Sequence, residues 1–352
     1  MGAIPGIDDV ELEWLAAQLG IDADGELRVQ PVGSGQVANC HRLTMTASDG
    51  THVHVIAKSP SLDEVSRSTA AMQHLYLRET SFYRELADSI TTRTPECFFV
   101  ERNEDDDFLI LLEDMSPARD VDQFDGLDLE MARRGLEQLA GLHGPTTGRA
   151  DVHNAAWLGG VAQNLKPLYD AVLPALFQSF LERYVDDIDQ ATTDFVAYLG
   201  EHLGAFTNYE VYAPCVTHGD FRTDNLLFDA KGGEVPLCVV DWQTIGVGSQ
   251  MLDVAYFLTT SLTTDERERH EDELLDYYLE RLSTHGVELP RDVARSEFAR
   301  YTLQPVIMLV CAAVLVERTE RGDRMFLSMI ERGIAAATKW NAFAEMSTHA
   351  PA

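Results

Sequence analysis

The chain is predicted to be an α+β protein of two lobes, a small antiparallel sheet followed by a larger helical part. Three observations predict it. Residues 27–113 hold five β-rich runs and one long amphipathic stretch. From Leu127 onward apolar residues recur at helical spacing. A short hairpin, residues 226–240, interrupts those helices and is bounded by polar side chains at both ends. The lobes are expected at residues 1–115 and 116–352, with Met115 to Asp120 as the hinge.

The elements follow in order. Leu27 to Val32 reads as a strand that enters Gly33-Ser34-Gly35. Gln36 to Thr46 and Thr51 to Lys58 are the next two strands, joined by an Asp49-Gly50 turn, a strong hairpin signal. One helix is expected over Glu64 to Ala87. Cys97 to Glu101 and Phe108 to Glu113 complete the sheet across the acidic turn Asn103 to Asp107. Leu129, Ala132, Leu136, Leu139 and His143 then mark one helical face. Further helices are expected over Leu165 to Leu203, Asp265 to His285, and from Asp292 to the end.

Composition sets outer limits. The 352 residues are 45% hydrophobic and 24% charged, ordinary globular values for a chain long enough for two lobes. The net charge of -31 repels nucleic acid and anionic membranes, so neither is expected as a partner. The same charge serves solubility or attracts a cationic substrate. Five scattered cysteines form no zinc or disulfide pattern and read as reduced thiols of a cytoplasmic protein. The N-terminal residues have neither the basic start nor the apolar core of a signal peptide. The apolar run Pro305 to Val316 is too short to span a bilayer.

The chemistry concentrates in His218-Gly219-Asp220-Phe221-Arg222-Thr223-Asp224-Asn225 and in Val239-Val240-Asp241-Trp242. A kinase-type phosphoryl transfer needs this inventory in this order. Asp220 supplies a carboxylate for the attacking hydroxyl, and Asn225 and Asp241 supply oxygens for magnesium. Folding the hairpin about Gly232-Gly233 places Asn225 roughly opposite Asp241. Facing residues have Cβ atoms about 5 Å apart. Magnesium suits one or two such oxygens, with water and phosphate completing its shell. An ordinary surface hairpin with an Asx turn would carry any one of these residues, but the complete pattern is harder to reach that way.

The first lobe reads as the nucleotide site. Gly33-Ser34-Gly35 is either a phosphate-approaching loop or a plain hairpin turn, and Ala38 stands where a third glycine would complete the longer motif. Val53, Val55 and Ala57 share one face of their strand, which turns Lys58 to the other. Glu79 falls within the stripe Met72, Leu75, Tyr76, Phe82, Tyr83 and Leu86, where a carboxylate needs a cation. Lys58 is the expected partner, positioning the α- and β-phosphates, with Glu85 and Glu64 as weaker alternatives to Glu79. Glu113 and Met115 are expected to hold adenine through main-chain atoms.

Together these residues resemble the aminoglycoside phosphotransferase and choline kinase superfamily, from about Gly33 to Leu258. Leu111-Leu112-Glu113-Asp114-Met115, Leu139-Ala140-Gly141-Leu142-His143, Val240-Asp241-Trp242-Gln243 and Asp253-Val254-Ala255-Tyr256-Phe257-Leu258 look most like its ecdysteroid-kinase-like branch. The resemblance implies a bilobal protein-kinase-like fold and transfer of the ATP γ-phosphoryl group, with Mg2+, to a small hydroxylated acceptor. It implies Asp220 as the hydroxyl-orienting base, His218 as a brace of its loop, and Asn225 and Asp241 as metal ligands. It also implies that Asp253 accepts backbone hydrogen bonds from the catalytic loop, a role compatible with an N-cap. Arg222 is left facing either the γ-phosphate or solvent, Asp224 is structural, and His143 packs in the core. Trp242 stands where protein kinases carry Phe, and no phosphorylated activation loop follows. The acceptor is expected against residues 157–212 and the C-terminal helices. Asp186, Asp187 and Asp189 are expected on one helix there, meeting a cationic amine or solvent. A silent nucleotide-binding module and a metal-dependent hydrolase are the rival readings.

Overall fold

In the computed structural model residues 4, 6–33, 37–207, 209–316 and 318–348 are described. The fold is bilobal and protein-kinase-like, with an antiparallel sheet in the N-terminal lobe and a larger helical C-terminal part. By contacts the chain divides into two units. Unit 1 comprises residues 1–89, 93–118 and 229–245, and unit 2 comprises 90–92, 119–228 and 246–352.

Unit 1 opens with α1 (Leu12–Leu19), an element the sequence reading omitted. Its signal was present in Leu12, Leu15, Ala16 and Leu19 and in Gly20, which ends the helix at φ 66°. Five strands follow: β1 (Ala23–Pro31), β2 (Ala38–Ala47), β3 (His52–Pro60), β4 (Cys97–Arg102) and β5 (Phe108–Glu113). They pair antiparallel in the order β1-β2-β3-β5-β4. Leu43, Met45, Val55, Ala57, Leu109 and Leu111 bury one face of the sheet with Leu15 of α1. That alternation turns Lys58 to the opposite face, as its strand parity requires.

The single helix expected over 64–87 is broken. It forms α2 (Glu64–Met72) and α3 (Leu75–Ser81), separated at His74, whose φ of 55° is left-handed. A π-helical turn, residues 82–86, continues α3. The break rotates α3 relative to α2. Leu75, Tyr76, Glu79, Phe82, Tyr83 and Leu86 are buried, while Met72, assigned to the same stripe, is 54% exposed.

Unit 2 is built on α4 (Leu129–Thr146), α5 (Ala150–His153), α6 (Val161–Arg183), α7 (Gln190–Glu201) and α8 (Leu203–Thr207). After them come β6 (Cys215–Thr217), the ribbon β7 (Leu226–Ala230) with β8 (Val235–Val239), and β9 (Gly246–Gly248). The chain crosses from unit 2 to unit 1 within β7 and returns before β9. The last helices are α9 (Gln250–Ser261), α10 (Thr264–Ser283), α11 (Arg291–Tyr301), α12 (Gln304–Leu315), α13 (Glu320–Lys339) and α14 (Ala342–Thr348). Phe177, Phe180, Leu199, Val306, Val310 and Ile330 centre one core of unit 2.

Among the described residues, one segment is long and apolar enough to cross a membrane, 291–315. It is two helices, α11 and α12, and 67% of its apolar window is buried within the protein. Asp186, Asp187 and Asp189 lie in the turn between α6 and α7, not on a helix. Asp189 caps α7 through the Thr192 amide at 2.8 Å, and Asp187 pairs with Arg318 at 2.9 Å. An aspartate that caps a helix is favoured just outside it, which explains the displacement.

Candidate functional site

In unit 1, β3 carries Lys58 and α3 carries Glu79, and the two side chains meet at 2.7 Å. Both are buried, at 8% and 1% exposure. Asp241 follows β8 in a left-handed conformation, φ 67° and ψ 68°, unusual for a residue other than glycine. That strained geometry is held on several sides. The Trp242 ring is fully buried and stacks on Phe82 at 4.0 Å between centroids. Its indole N–H donates to the Val239 carbonyl at 3.3 Å. The Trp242 backbone N–H donates to the Glu79 carboxylate. Asp241 is thereby aimed at Lys58, whose ammonium donates to Oδ1 at 2.9 Å, while Gln243 Nε2 donates to Oδ2 at 3.2 Å.

One ammonium thus serves two carboxylates. Burial opposes a charge on Lys58, but Asp241 and Glu79 outweigh it and hold the ammonium firmly protonated. Burial, assisted by the negative charge of Asp241, pushes Glu79 up despite Lys58. Two carboxylates thus face one ammonium in a largely buried place. The Asp241 side chain remains 29% exposed.

The Glu113 and Met115 main chains are partly committed. The Glu113 amide donates to the Glu96 carbonyl at 2.8 Å, and the Met115 carbonyl accepts from the Lys231 amide at 3.0 Å. The Glu113 carboxylate is held by Arg93 at 2.6 Å and by Lys231. Gly33 has a φ of 73°, which favours glycine, and among the described residues no atom lies within 4 Å of where a Cβ would stand. Ser34 and Gly35 lie outside the described residues.

In unit 2, β6 pairs with β9 and delivers the chain directly into His218. This three-residue pair was not foreseen from the sequence. The His218 and Gly219 amides donate to Asp253 at 2.6 and 2.9 Å. Asp253 is fully buried, and His143 Nε2 also meets it at 3.1 Å. The other ring nitrogen of His143 meets the Tyr278 hydroxyl at 2.7 Å. His143 is therefore a core residue, as expected, and one wired to the loop through Asp253. The Asp253 position is not the N-cap of α9, which is Ser249.

Asp220 sits at the head of this loop. Its amide donates to His218 Nδ1 at 3.3 Å. The 3-10 turn at Thr223–Asn225 brings Asn225 back over it, and Asn225 Nδ2 donates to the Asp220 carbonyl at 2.8 Å and to Oδ2 at 3.0 Å. Both amide hydrogens of Asn225 are thereby used, which leaves its carbonyl oxygen as the atom suited to a cation. Arg222 Nε lies 3.2 Å from Asp220 Oδ1, and its guanidinium also pairs with Asp224. The Arg222 guanidinium faces carboxylates of its own loop, and its side chain is 20% exposed. Tyr256 supplies a donor that sequence reasoning missed, its hydroxyl 2.9 Å from Asp220 Oδ1. The signal was its place three residues after Asp253, on the same face of α9.

Among the described residues no three His, Cys, Asp or Glu side chains converge as a metal cluster. Magnesium asks for less, one or two protein oxygens with water and phosphate. Within unit 1 the Asp241 carboxylate, and within unit 2 the Asn225 carbonyl, are each oxygens of the kind it takes.

The sequence profile of the ecdysteroid kinase-like family matches residues 34–289. No curated protein sequence matches the chain. Among solved structures, a candidate aminoglycoside phosphotransferase from Ralstonia eutropha JMP134 superposes with a TM-score of 0.54 at 13% identity, covering 94% of this chain and 98% of that one. The GDP and kanamycin complex of APH(2")-IIIa superposes with a TM-score of 0.50 at 14% identity, covering 95% and 99%. At these identities the likeness is one of fold.

Proposed function

From the premise that the chain belongs to the ecdysteroid kinase-like family, we propose that it is an ATP- and Mg2+-dependent kinase acting on an alcohol hydroxyl of a small molecule. The observation that carries this reading is the sharing of the Lys58 ammonium between buried Glu79 and partly open Asp241. Glu79 fixes Lys58 against the α- and β-phosphates. Asp241 and the Asn225 carbonyl are the two oxygens offered to magnesium. When bound, Mg-ATP supplies the transferable phosphoryl group with its charge partly neutralised. The Glu113 carbonyl and the Met115 amide are the hinge groups offered to the base.

Asp220 accepts a hydrogen bond from the acceptor hydroxyl and points its oxygen at the γ-phosphorus. As the new P–O bond forms, the bond to the β-phosphate oxygen breaks, ADP leaves, and the hydroxyl proton passes to Asp220. The transition state is loose, so positioning and electrostatics supply most of the rate. Arg222 and Asp224 offset each other's charge beside Asp220. The five free cysteines suit a reducing compartment, and a cytoplasmic location is proposed on that ground.

The test is transfer of label from γ-labelled nucleotide, ATP and GTP in parallel, to a library of alcohols and amino alcohols by the purified protein with Mg2+. Labelling of an acceptor hydroxyl that is lost in Asp220→Ala supports the reading. Binding of Mg-nucleotide with no acceptor labelled would identify a silent module and overturn it.

A further inference from the structure

We propose that Tyr256 is a positioning residue for this phosphoryl transfer, acting through Asp220. The inference rests on the kinase reading above and assigns a role to a residue that reading does not require. Three side chains donate to the Asp220 carboxylate: Asn225, Arg222 and Tyr256. Two of them, Asn225 and Arg222, lie within five residues of Asp220 and belong to its own loop. Tyr256 comes from α9, every residue of which from Val254 to Ser261 is buried. It is the donor that ties the carboxylate to the rigid interior of unit 2.

The division of labour along α9 is legible. Asp253 receives the His218 and Gly219 amides and so fixes the backbone of the loop. Tyr256, three residues later, fixes the rotation of the Asp220 side chain. Its hydroxyl is held in place without help from bulk water, since the residue is 2% exposed. Burial, with the adjacent Asp220 charge, raises the phenol well above its ordinary value, so it remains a donor. Docking of the loop on α9 has a separate support, the edge contact of Phe221 with Phe257 at 5.2 Å between centroids. Removing the Tyr256 hydroxyl therefore leaves the carboxylate held by its own loop's donors alone, Asn225 and Arg222, without undocking the loop. A carboxylate without that tie to α9 is less tightly aimed at the acceptor hydroxyl, and a misplacement of about 1 Å costs about 10- to 100-fold in rate.

The experiment compares wild type, Tyr256→Phe, Asp220→Asn and the double variant, with thermal unfolding and Mg-nucleotide calorimetry confirming that each is folded. Expected for Tyr256→Phe is a fall in kcat of about 10- to 100-fold, with nucleotide KM and affinity within about twofold of wild type. In the Asp220→Asn background the same change has no further effect on residual turnover. A Tyr256→Phe kcat equal to wild type overturns the proposal and leaves the kinase reading standing. So does an equal fractional loss in both backgrounds, which would show that Tyr256 acts independently of Asp220. Absence of turnover in the wild type overturns both.

Discussion

In unit 1 the Lys58 ammonium is divided between Glu79 and Asp241, whereas in unit 2 the Asp220 carboxylate receives donors from Asn225, Arg222 and Tyr256. The first arrangement sets two carboxylates on one ammonium, and the second sets three donors on one carboxylate. Buried carboxylates that share a cation are costly unless further compensated. A carboxylate held by several donors is fixed in direction and already compensated. On the proposed reading the contrast separates two tasks, taking up a metal-bound nucleotide and aiming one oxygen at an acceptor.

Breaking the second arrangement has the largest expected effect. Asp220→Ala removes the aimed oxygen and should lower kcat by about 10²- to 10⁴-fold. Calorimetry with Mg-nucleotide should give the wild-type affinity, since Lys58, Asn225 and Asp241 are all retained. A parallel loss of affinity would show that the two tasks are not separable.

Glu79→Gln and Arg222→Gln sharpen the comparison through stability. Glu79 is 1% exposed, and breaking its pair with Lys58 should cost about 3 kcal/mol, read by denaturant unfolding. The Arg222 side chain is 20% exposed and leaves Asp220 two other donors, so its loss should cost about 1 kcal/mol. Equal costs would remove the distinction between a buried pair and a compensated one.

The smallest effect is on pH. Burial alone would raise Glu113 and Asp114, yet Lys231 and Arg93 hold Glu113 below its ordinary value and Arg42 does the same for Asp114. A depressed folded-state pKa adds stability above the unfolded value, near 4, that is lost as pH falls through the folded value. The midpoint of unfolding should therefore drop on acidification below about pH 4, and Glu113→Gln should drop less. An identical acid profile in that variant would contradict the ion-pair account.

Much of this organisation was legible in the residue order. Alternation in β3 fixed the direction of Lys58, and the Asp49-Gly50 turn joined β2 to β3. The break at His74 was hidden because helical spacing continues on both sides of a single reversed φ. The pair β6–β9 is too short to show alternation. Within the loop 218–225 side-chain direction follows no period, so the turn of Arg222 toward Asp220 and Asp224 was unreadable. Tyr256 was readable from its spacing to Asp253, once Asp253 was recognised as a support of the loop.

The most direct test of the central claim is calorimetry of ATP binding with and without Mg2+ in wild type and Asp241→Asn. The account predicts that Mg2+ strengthens nucleotide binding in the wild type and that Asp241→Asn abolishes this metal dependence while the protein stays folded. Nucleotide binding indifferent to Mg2+ in the wild type, or an undiminished metal effect in Asp241→Asn, would contradict it.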